Sequence, residues 1–588
     1  MKGFKMLLAF VVAFCLASPA YAHAAGKPSE EKTPVNLEHL NFLNEDVTID
    51  GVDMLITHIY SEAPDYKWVD ASGEGIACVD DVARAAVVYL NDYEQNGNKK
   101  SLDNSKKALN FVMHMQADDG EFYNFVNKDL SINTDGPTSK KSFDWWAARA
   151  MWAMGQGYGV FKKANPAYAA KLKDSFLLAN KALQKKINEN YGEYKNVHGY
   201  RVPAWIGGFD AMSNALLGLA EFYEVEPLAS VKNSMKKVGR GLDEFQYGSY
   251  TQYPYGAHLG WDGSPTLWHA WGSGQSFALA KAGRVLGEKK WVKSAQQEAD
   301  QLFSHLLVTG MIKEMAPTMA KDEQIAYGVN MLTQGFAEVF KATKDPKYAQ
   351  YAGLAASWFT GNNDANAVMY DAKTGRGYDG LNGVTGKVNW NSGAESTIEA
   401  LMALQTVNSI PKAEKLLQAK TLKRHTAVVV EAEDFDTVLG KPETVAPESS
   451  WTGDASYSGK IVRLGDSDVI SKKISVDKSG LYLFSGALVR EAGSAGKLDV
   501  QVDGRSMSFM KILPSPDTDF LTLANAEHPV YLSKGVHELK LKFKGEELLL
   551  DNVVVQPAVE YAVFKTGGKT VKLERDLLKG RNFVEIKE

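Results

Sequence analysis

Six polar positions recur at matching places in the chain: Asp80-Asp81, Asp144, Asp210, Trp268-His269, Asp322-Glu323 and Glu395. Each follows a loop bearing glycine or proline and precedes a run of small and apolar residues. Carboxylates placed this way suit work on a glycosidic bond. One carboxylic acid protonates the leaving oxygen, and a second carboxylate acts as base or nucleophile. Neighbouring acids on a helix differ by about 100° in direction. Asp80 and Asp81 therefore do not both aim at one atom, and one of them caps the helix or pairs with a neighbour. The helix dipole keeps an isolated N-terminal acid anionic, whereas a general acid needs burial or a second carboxylate to raise its pKa. Acids from neighbouring helices supply that. The expected catalytic set is Asp80, Asp81 and Asp144, with Asp144 paired to Asp80 or Asp81 and the acid and base roles open. At each site the structural alternative is a plain N-cap, which Asp favours. Arg84 and Arg149, one turn further on, are the expected ion-pair partners.

A second constellation suits different chemistry. Asn196, His198, Tyr200 and Arg201 fall within six residues, and Tyr253, Tyr255 and His258 follow in a later loop. Abstracting the proton beside a uronate carboxylate needs a Tyr or His base, with Asn, Arg or His to hold the developing charge. Contacts to sugar hydroxyls or loop packing use the same residue types. Asp210, His198, Tyr200, Arg201, Tyr255, His258, Trp268, His269, Glu323 and Glu395 are the expected substrate-binding set. Cys78 has no cationic neighbour in sequence and reads as a small buried residue.

The elements that carry these residues are helical. From about residue 53 to 420, apolar residues recur at three- and four-residue steps and strand-type alternation is nearly absent. The segments after the six polar positions, such as VARAAVVYL and WWAARAMWAMGQGY, are apolar on most faces and must be buried on most faces. Lysine-rich amphipathic segments alternate with them, near residues 102–116, 166–188, 228–245, 289–307, 346–359 and 412–421. Repetition at this scale signals one helical hairpin per repeat. Six hairpins closed in a ring make an (α/α)6 toroid over residues 51–421. Its inner helices all begin at one end, so the six polar positions converge on one mouth. The long loops there, residues 118–142, 191–210, 247–269 and 370–395, lie where function concentrates on a rigid scaffold.

Near residue 421 the pattern changes to short alternating segments with turns such as Asp503-Gly504, which read as a β-sandwich over residues 427–557. The tail, residues 558–588, adds a strand or packs on the toroid. At 588 residues the chain exceeds a single core. Its net charge of −5 excludes a basic nucleic-acid footprint. Lys2 and Lys5, the apolar stretch Met6 to Ala17 and the Ala20-Tyr21-Ala22 site read as a signal peptide over residues 1–22, too short to span a bilayer. A polar leader over residues 23–50 follows. The expected product is secreted, extracellular or periplasmic, with a polysaccharide or oligosaccharide as partner.

Stretches such as DDVARA, FDWWAARAMWAMGQGY and NSGAESTIEALMALQ resemble the (α/α)6 superfamily of glycoside hydrolases and polysaccharide lyases. The opening EAEDFD, the strand at residues 480–482, SKGVHELKLKF and the closing LLLDNVVV resemble carbohydrate-binding modules of types 6 and 35. That second resemblance implies a structural Ca2+ held by Glu431, Glu433 and Asp551, and oxygen ligands of this kind suit calcium. No cofactor is expected for catalysis. The expected activity is glycoside hydrolysis by paired carboxylates. Its alternatives are β-elimination on a uronate polymer and non-catalytic glycan binding.

Overall fold

The computed structural model describes residues 33–587. The signal-peptide reading of residues 1–22 lies outside them. The described residues form thirteen α-helices, in chain order: α1 (Glu38–Leu43), α2 (Val79–Asn96), α3 (Lys99–His114), α4 (Trp145–Ala164), α5 (Pro166–Asn188), α6 (Phe209–Val225), α7 (Ala229–Glu244), α8 (Gln275–Leu286), α9 (Lys289–Glu298), α10 (Ser304–Thr309), α11 (Ala326–Thr343), α12 (Pro346–Ala356) and α13 (Ala394–Ser409).

Helices α2, α4, α6, α8, α11 and α13 are the predicted apolar segments. Each touches the next and α13 returns to α2, so the inner ring closes. Close packing needs small residues: a Cβ on Gly155 of α4 would stand 2.3 Å from the Gly218 carbonyl oxygen of α6. Helix ends are set by local chemistry. Asn98, Asn165 and Asp345 accept backbone N–H groups at the starts of α3, α5 and α12, the last two with proline at the first helical turn. The amphipathic α3, α5, α7, α12 and the run α9–α10 form the outer layer.

The sixth outer helix, expected over residues 412–421, does not form. Only a 3-10 turn, Glu414–Leu416, stands there. Pro411 disfavours helical geometry at Ile410, and Lys412 adopts a φ of 78°. Helix α1 packs on α13 instead. Leu40 and Leu43 are fully buried, so the second half of the predicted leader belongs to the toroid.

The sandwich has a seven-stranded and a five-stranded sheet, all antiparallel, with Leu464, Phe484, Leu541 and Leu550 in its core. The tail resolves into three strands, Val559–Thr566, Lys569–Asp576 and Arg581–Lys587, which pair with Lys420–His425 in a separate four-stranded sheet. Ala562, Phe564, Val571 and Leu573 of that sheet enter the toroid core. Among the described residues no helix is long and apolar enough to cross a membrane.

Candidate active site

The mouth is organised by two buried arginines. Arg84 sits one turn into α2. Its Nη2 donates to Asp81 Oδ1 at 2.8 Å, and its Nη1 donates to Glu399 Oε1 at 2.7 Å and Glu395 Oε2 at 3.1 Å. Asp80 Oδ2 lies 3.7 Å away, so one guanidinium faces four carboxylates. Sharing one cation this way leaves the most deeply buried acids short of charge compensation. Burial pushes Asp81 up to about 6 and Glu399 up to about 7, against the pull of Arg84. Asp81 is locked on its other side by the Cys78 thiol, which donates to Oδ2 at 3.3 Å. Cys78 is buried, and its sulfur accepts the Asp81 N–H as the cap of α2. Asn330 of α11 donates to Glu399 Oε2 at 2.5 Å.

Arg149, one turn into α4, reaches Asp80 Oδ1 and lies 5.3 Å from the centre of the Tyr327 ring. Burial opposes ionisation of Asp80, but Arg149 and Arg84 outweigh it and hold this carboxyl below the usual range. Arg149 also acts on Asp210, at the start of α6. There burial prevails over His269, Arg149 and the Ala211 N–H, and Asp210 is raised. Burial likewise lowers His269 against the pull of Asp210 and Glu314, which favours the neutral imidazole. Its Nδ1 is buried and has no partner among the described residues. His269 is placed by the short strand Trp268–His269, paired with Glu314–Met315.

The opposite wall carries Glu395, Glu323 and Asp379. Ser396 donates to Asp379 Oδ1 at 2.6 Å. Burial raises Asp379, and Glu395 and Glu323 add to that. Glu395 is 44% exposed at its side chain and is the most open acid bound to Arg84. Exposed Trp145 and Trp271 stand near the starts of α4 and α8.

Asp80, Asp81, Asp210, His269, Glu323 and Glu395 therefore all sit at the mouth. Asp144 begins α4, but it accepts from Ser142 Oγ at 2.8 Å and pairs with Lys186 of outer α5 at 3.2 Å. It shares no partner with Asp80 or Asp81, and the expected pairing is replaced by Arg149 bridging from α4. The constellation read as proton-abstracting also lies elsewhere. His198 sits between Asp454 (2.8 Å) and Asp517 (3.1 Å) of the sandwich and stacks on Phe520. Tyr200 packs on Tyr247 and Phe520, and Arg201 covers the Tyr194 ring at 3.4 Å. Tyr255 is buried against Tyr253 and His305. His258 is enclosed by Glu298 (2.7 Å) and Ser294 (2.9 Å). Trp268 is fully buried. Their spacing marks a domain interface and a core, which use the same residue types as a site. Glu399, Tyr327, Asn330 and Asp379 were not singled out in sequence. Glu399 had a signal, lying four residues after Glu395 on one helix face.

In the sandwich, Ser458 links two of the three expected metal ligands: its Oγ donates to Glu431 Oε2 at 2.6 Å and to Asp551 Oδ2 at 3.1 Å. Glu433 Oε1 accepts the Lys460 N–H at 3.0 Å, while its Oε2 is buried and has no partner among the described residues. Among the described residues no three His, Cys, Asp or Glu side chains gather as a metal-ligand set.

No family model and no curated protein matches the chain. Solved structures do. A sugar epimerase from a ruminal bacterium is similar over 63% of this chain and 95% of its own, with 13% identity and a TM-score of 0.46. An α-1,6-mannanase of Salegentibacter sp., in complex with α-1,6-mannotriose, is similar over 62% of this chain and 93% of its own, with 13% identity and a TM-score of 0.39. A family 35 carbohydrate-binding module from Clostridium thermocellum is similar over 22% of this chain and 98% of its own, with 14% identity and a TM-score of 0.19.

Proposed function

We propose that the chain is a secreted carbohydrate-active enzyme whose toroid hydrolyses glycosidic bonds, with Asp80 and Asp210 as the reacting carboxyls. One observation carries this reading: Arg149 binds Asp80 and its charge also acts on Asp210, and the environments of the two carboxyls push them in opposite directions. Titrating groups driven apart in this way mark acid and base assignments. Asp80, held anionic by two arginines, acts as base or nucleophile. Asp210, raised by burial, is the proton donor to the leaving oxygen. Arg149 then stabilises the carboxylate that forms. Asp81 and Glu399 are positioning residues that fix Arg84. Arg84 and Arg149 are already engaged by carboxylates, which disfavours their holding a uronate.

The test is a screen of the purified chain against mannan, xylan, β-glucan, polygalacturonate and alginate, following reducing ends and ultraviolet absorbance. Reducing ends without absorbance, lost in both Asp80→Asn and Asp210→Asn, are expected. Rising absorbance means elimination and overturns the hydrolytic reading. Glycan binding with no product means a binding protein.

The neutral, half-free His269 favours a second reading, proton transfer at a sugar carbon. Incubating mono- and disaccharides with the chain in D2O separates the two, since that chemistry places deuterium on carbon and hydrolysis does not. Calcium in the sandwich is a further proposal, supported by the buried free oxygen of Glu433. It predicts that millimolar calcium raises the melting temperature and that Asp551→Asn abolishes the rise.

A further inference from the structure

Two exposed tryptophans from different domains meet at the rim of the mouth. Trp261 follows Gly260, whose carbonyl accepts the Phe209 N–H at 3.1 Å just ahead of Asp210. A Cβ on Gly260 would stand 3.2 Å from His269 Nε2, so Trp261 continues the Asp210–His269 wall. Trp451 comes from the sandwich, in the loop between Glu443–Val445 and Ile461–Gly465. That loop is fastened to the toroid at three points. The Ser456 N–H donates to the Ala316 carbonyl at 2.7 Å, Ser264 Oγ donates to the Asp454 carbonyl at 2.7 Å, and His198 Nε2 meets Asp454 Oδ2 at 2.8 Å. The two indole rings then lie 6.3 Å apart with planes 30° from each other.

Interdomain packing does not account for this pair. Packing is carried by Phe520, 1% exposed beneath His198, whereas Trp261 and Trp451 stay 38% and 42% exposed while touching. Their surroundings suit a hydroxylated ligand. Asp262 beside Trp261 is paired with Lys195, and the Thr452 hydroxyl beside Trp451 donates to Asp454 at 2.9 Å. A flat apolar face edged by oriented polar groups is the pattern of a ligand site, and the polarised C–H face of a pyranose ring fits an indole.

We infer that Trp261 and Trp451 form one saccharide subsite, built jointly by the toroid and the sandwich, that holds the part of a glycan chain extending out of the mouth. This rests on the proposed action on glycans. The sandwich is then a wall of the cleft rather than a tethered, separate binder.

The test is electrophoresis of the full chain through gels containing soluble mannan, xylan, β-glucan, polygalacturonate or alginate. The variants are Trp261→Ala, Trp451→Ala, the double variant and Trp451→Phe, each with its melting temperature measured. In the gel that retards the unaltered chain, each single alanine variant is expected to weaken binding roughly tenfold. The double variant should be no weaker than either single, and the phenylalanine variant should retain most of the affinity. A further tenfold loss in the double variant places the rings in separate sites and overturns the inference. So does loss in only one single variant, unchanged mobility in both, or no retardation of the unaltered chain in any gel. Reducing ends released by the unaltered chain from the same glycans, measured alongside, separate the two readings: retardation of the unaltered chain with no cleavage of any glycan removes hydrolysis and leaves the subsite standing.

Discussion

Two buried glutamates on neighbouring inner helices, at opposite ends of the toroid, have opposite fates. Glu399, at the mouth end of α13, shares Arg84 with three other carboxylates and is pushed up to about 7, chiefly by burial. Glu338, near the other end of α11, is as deeply buried, yet Lys341, Lys281 and Arg284 outweigh burial and hold it below the usual range. Burial is nearly the same at both places, so the ratio of cations to carboxylates decides. The floor is balanced and the mouth is acid-rich. A balanced end holds a scaffold together. An acid-rich end raises Asp81, Glu399 and Asp210 above the ordinary carboxylate range, which is the direction a proton donor needs.

The comparison breaks most visibly at Asp80. Asp80→Asn should lower cleavage roughly a thousandfold while the far-ultraviolet circular dichroism stays close to the unaltered value. Arg84→Met should be the most destabilising single change at the mouth, by about 3–5 kcal/mol in denaturant unfolding, because it strands buried carboxylates. Glu399→Gln and Glu338→Gln should show opposite pH trends. The folded pKa of Glu399 is raised, so its contribution is full below about 4.5 and is lost as pH rises through about 7. Glu399→Gln should therefore gain on the unaltered chain between pH 5 and pH 8, by roughly 2 kcal/mol. The folded pKa of Glu338 is lowered, so it stabilises above its ordinary range. Glu338→Gln should be weaker at pH 7, with the gap closing in acid. The smallest effect is expected for Lys341→Met at the floor, about 1 kcal/mol by thermal melting, because Lys341 is partly exposed and Lys281 and Arg284 still serve Glu338.

The scaffold was legible because inner helices must be apolar on nearly every face, and the VARAAVVYL and AMSNALLGLAEFY runs state that directly. The convergence of acids followed from direction alone. The sixth outer helix was misread because residues 412–421 carry helical spacing, while Pro411 and Lys412 defeat it at the first turn. His198, Tyr200 and Arg201 carry the residue types of a uronate site, and only the approach of Asp454 and Asp517 from a sequence-distant domain shows them to be a joint. Asp144 has the right position on its helix. What sequence could not weigh was Lys186, which draws it toward the outer layer.

The four-stranded sheet at the toroid edge has a consequence for modular dissection. The chain leaves the toroid by Lys420–His425 and returns by Val559–Thr566, and these strands are direct neighbours, with His425 opposite Tyr561. The sandwich is thus spliced into a toroid sheet, with its entrance and exit side by side. Cutting the chain after residue 426 would remove three strands along with the core residues Phe564, Val571 and Leu573. Excising residues 427–557 and bridging His425 to Tyr561 with a short turn would keep them. Ancestral acquisition or loss of such a module requires two coordinated breakpoints, not the single terminal one that simple domain shuffling supplies.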